Sequence, residues 1–92
     1  MKIYFAYRVH VDHTRMGYDS VDVNTYIGEC PSYERTLAEE IKEVEISDSY
    51  TKEEADFIRY TARDHLYSER LRDVDGAVKY AIGQLEEKKA NG

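Results

Sequence analysis

The chain has 92 residues, a net charge of −6 and a single cysteine, Cys30. That length holds one domain, residues 1–92, which buries about 60–65% of the surface its unfolded chain exposes. The lone cysteine excludes an internal disulfide scaffold, no apolar run is long enough to span a bilayer, and a composition 41% hydrophobic and 35% charged is too apolar for a disordered chain.

Residues 1–12 alternate. Ile3, Phe5, Tyr7, Val9 and Val11 share one side, and Tyr4, Ala6, Arg8, His10 and Asp12 the other, which predicts a half-buried strand. Residues 20–28 repeat the pattern, with Val21, Val23, Thr25 and Ile27 against Asp22, Asn24 and Tyr26. His13 to Asp19, which contains Gly17, reads as the hairpin loop between them. Pro31 then marks a helix start. Tyr33, Leu37, Ile41 and Val44 recur at helical spacing, so an amphipathic helix of about three turns is expected, ending near Val44. Val44-Glu45-Ile46 reads as a short third strand, with a continued helix as the alternative.

Thr51-Lys52-Glu53-Glu54 is a capping box, and a helix over about 52–71 follows it. This helix has two apolar stripes, Ala55/Ile58/Ala62/Leu66 and Phe57/Tyr60/Tyr67/Leu71, with Arg59, Arg63 and Arg70 between them. Two stripes imply two packing partners: the sheet and the last helix, or the core and another subunit. Asp73 or Asp75 caps a last helix with a single stripe of Val74, Ala77, Val78, Ala81, Ile82 and Leu85. The expected fold class is α+β, a small antiparallel sheet against two or three helices in the order ββαβαα, or ββααα if the third strand is absent.

The charge is unevenly spread. In residues 1–28 three acids and three bases cancel; in 29–56 ten acids against three bases leave −7; in 57–92 six acids against seven bases leave +1. A field of that sign repels nucleic acid and attracts a basic protein surface. The candidate partner-binding residues are therefore Glu34, Glu39, Glu40, Glu43, Glu45, Asp48, Glu53 and Glu54, with internal pairing to Arg59, Arg63 and Arg70 as the competing reading.

Catalytic signatures are sparse. The string His10-Val11-Asp12-His13 puts two ligand types on one strand face with His13 following at the turn, a weak alternative as a metal site for a small hydrolase. It resembles the second half of the HxHxDH signature of metallo-β-lactamase-fold hydrolases. Arg8 stands where that signature has its first His, and that fold needs a far longer chain, so the resemblance is taken as chance. The five glycines fall in no phosphate-binding spacing, and no GxSxG elbow occurs.

The leading expectation is a small acidic non-enzymatic protein without cofactor. It would inhibit or adapt a nucleic-acid-handling protein, bind no nucleic acid itself, and act in the cytoplasm. Small acidic inhibitors encoded by phages, which occupy grooves meant for DNA or RNA, are the analogy; a phage origin would place it in the host cytoplasm. The second expectation is a self-associating module, a homodimer through Phe57, Tyr60, Tyr67 and Leu71.

Overall fold

β1 (Lys2–His10) and β2 (Ser20–Ile27) pair antiparallel, with Ile3 opposite Ile27, Phe5 opposite Thr25 and Tyr7 opposite Val23. This is a computed structural model that describes residues 1–10, 20–69 and 72–91. The expected hairpin loop, His13 to Asp19, lies outside those residues. The sheet has three strands in the order β2-β1-β3, where β3 is Glu40–Glu45, also antiparallel to β1. With α1 (Ser32–Leu37), α2 (Lys52–Glu69) and α3 (Val74–Asn91) the order is ββαβαα, and the fold is α+β.

The three-turn helix ending near Val44 does not form. α1 is six residues long, and Ala38 leaves it with extended backbone (φ −75°, ψ 138°). The third strand is also longer than expected, starting at Glu40. The reason lies in β1. As the middle strand it presents a second row of backbone donors and acceptors on its far side, and these need partners. Residues 40–45 supply them, with Glu40 opposite Tyr7, Lys42 opposite Phe5 and Val44 opposite Ile3. Long-range pairing overrides the helical spacing of Leu37, Ile41 and Val44, because local propensity is worth only about 0.5 kcal/mol per residue.

One face of the sheet carries Ile3, Phe5, Tyr7, Val23 and Val44 against α2 and α3, with α2 lying along β2 and α3 along β3. The helices turn in Ala55, Ile58, Ala62 and Leu66, and Val74, Ala77, Val78, Ala81 and Leu85, the stripes their spacing predicts. The capping box is formed: Thr51 N–H donates to Glu54 Oε1 (2.9 Å) and Glu54 N–H to Thr51 Oγ1 (3.1 Å). Asp73 caps α3, accepting from Gly76 N–H at 3.0 Å.

β1 is not half-buried. Tyr4 and Ala6, on its second face, are enclosed like Phe5. α1 covers that face, so the sheet sits between a two-helix layer and one short helix. No described helix is long and apolar enough to cross a membrane.

Candidate protein-binding face

α1 sits on the sheet with its polar side inward. Glu34 is 0% exposed, while Tyr33 and Leu37, the residues whose spacing suggested core, are 58% and 60% exposed. The sheet face beneath explains the inversion. Arg8, Asn24 and Tyr26 project from β1 and β2 toward α1, three hydrogen-bond donors on one surface. Glu34 accepts from all of them: Arg8 Nε (2.8 Å) and Nη2 (2.9 Å), Tyr26 Oη (2.5 Å) and Asn24 Nδ2 (3.4 Å). The fork of the guanidinium meets the carboxylate two-to-two, the strongest ion-pair geometry available to side chains.

The electrostatics follow from those contacts. The Arg8 hydrogen bonds hold the Glu34 carboxyl below its ordinary range against the opposing effect of burial, with Tyr26 assisting. Burial, followed by the hydrogen bond to Glu34, pushes the Tyr26 phenol well above its usual value. Glu34 is thus a charged anchor that fixes α1 to the sheet. Its oxygens are engaged with the protein, and it is not a surface group for a partner.

The other expected partner-binding acids are scattered rather than gathered on one helix face. Glu39 is exposed in the bend between α1 and β3. Glu40 lies 3.1 Å from Arg72 and 3.8 Å from Lys42, and Glu43 is 4.0 Å from Lys2. Glu45 (3.2 Å) and Asp48 share the α-amino group of Met1. Glu54 belongs to the capping box and meets Lys89 at 2.5 Å, while Glu53 is exposed beside it. The cations that meet these acids are not the expected arginines. Arg59 bonds Asp56 (3.0 Å) and the Thr25 carbonyl (2.8 Å), and Arg63 reaches Asp64 (3.5 Å). Arg70 lies outside the described residues.

Of the aromatic stripe expected to self-associate, Phe57 is half-buried, while Tyr60 and Tyr67 remain 41% and 44% exposed and make contacts within the fold. Phe57 packs on the core beneath Lys88, whose ammonium is 5.0 Å from the ring. Tyr60 lies between Arg59 (4.2 Å) and Arg63 (5.0 Å). Tyr67 Oη accepts from Val23 N–H (2.6 Å) and donates to the Val23 carbonyl (3.2 Å). Leu71 lies outside the described residues, as do Asp12 and His13 of the expected metal set; of His10 only the backbone, paired with Ser20, is described. Among the described residues no three His, Cys, Asp or Glu side chains stand together as metal ligands.

Sequence reasoning missed Tyr33 and Leu37 as surface residues. The available signal was the triad Arg8, Asn24 and Tyr26: three donors on one sheet face call for an acceptor above them, and Glu34 is the only acid in α1. No protein-family model matches the chain, no curated protein matches its sequence, and no solved structure matches its fold.

Proposed function

We propose that this chain is a non-enzymatic binding protein that inhibits or adapts a partner with a basic surface, of the kind that handles nucleic acid. The observation that carries this reading is the inverted α1. Two large side chains, one turn apart, are more than half exposed on a helix held from below by a buried ion pair, and the Tyr33 phenol also meets that of Tyr26. Adjacent aromatic and aliphatic groups on an anchored element are what interface centres are made of.

Exposed Glu29 and Glu39 flank α1 in the chain, on either side of the apolar pair and of the exposed Arg35 between its members. Exposed ion pairs elsewhere contribute little to stability and leave the net charge unaltered, so the molecule still steers toward cationic surfaces. The pairing of Glu40, Glu45, Asp48 and Glu54 argues against an unbroken row of carboxylates imitating a phosphate backbone. The partner is better described as an apolar cleft with basic borders than as a DNA groove.

Affinity capture from the native host, with wild type beside a Tyr33→Ser/Leu37→Ser variant and a Glu29→Gln/Glu39→Gln variant, tests the reading. The first variant is expected to lose the captured protein, and the second to hold it with a flatter salt dependence. An identical captured set from wild type and from Tyr33→Ser/Leu37→Ser removes the proposal. Light scattering at micromolar concentration separates it from self-association through the same pair.

A further inference from the structure

The two edges of the sheet are finished differently. On β2, side chains of α2 occupy the middle of the outer edge: Tyr67 Oη takes both the N–H and the carbonyl of Val23, and Arg59 takes the carbonyl of Thr25. On β3, pairing with β1 engages residues 40, 42 and 44, so the N–H and carbonyl groups of Ile41, Glu43 and Glu45 point away from the sheet. None of these outward groups has a partner among the described residues. A row of open backbone donors and acceptors is a template for another strand.

A groove of about 250 Å³ runs beside this edge. Lys42, Glu43 and Val44 all line it. Side chains at consecutive strand positions point to opposite faces, so a groove touching all three follows the edge itself. Its other wall is the start of α3, with Asp73 and Asp75. Two cations also line it: Arg72 is paired with Glu40, and Lys42 donates to the Arg72 carbonyl (2.8 Å) and lies 3.8 Å from the same Glu40.

We propose that the outer edge of β3 accepts an extended segment of a partner protein, with Lys or Arg at alternate positions, as a fourth strand. The proposal rests on the reading of the chain as a binder of basic proteins and names a second contact on the same partner. Charge complementarity selects the occupant. A basic residue of the added strand on the α1 side meets Glu43 or Glu45, whose own partners, Lys2 and the Met1 amino group, form solvent-exposed pairs with them; one on the other side meets Asp73 or Asp75 in the groove. A second copy of this chain is disfavoured. Antiparallel self-pairing centred on Glu43 sets that residue opposite itself, centring on Val44 sets Glu43 opposite Glu45, and centring on Lys42 sets lysine opposite lysine, each of which is repulsive; centring on Ile41 matches Glu40 with Lys42 but overlaps the strands over residues 40–42 alone.

The test uses the full chain and a fluorescein-labelled synthetic peptide of alternating Lys and Thr, with an alternating Glu and Thr peptide as the opposite-charge control. Anisotropy at low salt is expected to show binding of the Lys peptide only, weakened roughly tenfold by Glu43→Gln/Glu45→Gln, as loss of two exposed charge contacts implies. Hydrogen exchange is expected to slow at the amides of Ile41, Glu43 and Glu45. Ile41→Pro removes one outward donor without touching the ladder to β1 and is expected to abolish peptide protection while leaving the peptide-free melting curve cooperative. The proposal is overturned by absence of Lys-peptide binding, or by binding that leaves those three amides unprotected, which is charge attraction alone. Either failure, with capture through Tyr33 and Leu37 intact, removes the strand site and spares the binding function.

Discussion

The buried pair under α1 offers the most direct check of the fold. Replacing Arg8 with Met keeps most of the side-chain volume and deletes the guanidinium. Glu34, with no exposed surface, then keeps only Tyr26 and Asn24 as donors. The carboxyl limits its own penalty by taking up a proton. Starting from an ordinary value of 4.5, neutralisation at pH 7 costs at most about 3.4 kcal/mol, since each unit corresponds to about 1.36 kcal/mol. At pH 5 the same ceiling is about 0.7 kcal/mol. In wild type the depressed Glu34 stabilises the fold above the unfolded carboxyl value and loses that contribution as pH falls through the folded one. In Arg8→Met the carboxyl value is raised, so the variant weakens as pH climbs above 4.5. The gap between the two proteins therefore widens from pH 5 to pH 7. Urea unfolding followed by far-ultraviolet circular dichroism at both pH values measures it. The double variant Arg8→Met/Glu34→Leu is expected to recover most of the loss, as buried ion pairs exchanged for apolar residues commonly do. A single-variant loss below about 1 kcal/mol with no pH dependence would refute the burial of a charged Glu34.

Three further outcomes are expected. Tyr67→Phe exposes the Val23 edge groups to water and should cost about 1 kcal/mol, with faster exchange of the Val23 amide as the diagnostic. Gly28, at φ +82° where β2 ends, and Gly83, mid-helix with nothing within 4 Å of the position a methyl would take, should respond oppositely to Ala: thermal melting is expected to show a loss of about 1 kcal/mol at Gly28 and a gain of about 0.5–1 kcal/mol at Gly83. Thr51→Ala removes half of the capping box and should lower stability by about 1 kcal/mol in urea unfolding, with the first turn of α2 exchanging faster.

Much of this architecture is readable before any coordinates. The alternation of residues 2–10 and 20–27, the Thr51/Glu54 box, and the core stripes of α2 and α3 are local patterns that each point to one type of element. Residues 33–45 are different. A spacing of four satisfies both a helical period and a strand period, so Leu37 and Ile41 fit either. Only Val44, three positions after Ile41, separates the two. In a strand those residues lie on opposite faces, which is acceptable only if both faces of the sheet are covered. That covering depends on Tyr4 and Ala6 being buried, a long-range fact that the local spacing does not contain. The candidate site inherits the same ambiguity. On a helix, Glu39, Glu40 and Glu43 share a solvent face; on β3 Glu40 and Glu43 diverge, and Glu34 goes inside. The excess of carboxylates was legible, but their grouping was not, because grouping is decided by which way each element rolls when it docks.

The seal that Tyr67 and Arg59 place on β2 limits how this molecule can assemble. Ribbons lengthen when one molecule's leading border joins the trailing border of the next, and repetition does the rest. Here the middle of one border, at Val23 and Thr25, is occupied by the chain's own side chains, so a strand added at β3 is not readily followed by another at β2. A sheet with a single usable side forms finite complexes, and an acidic protein present at high concentration gains from that a protection against fibre growth that net charge alone does not give.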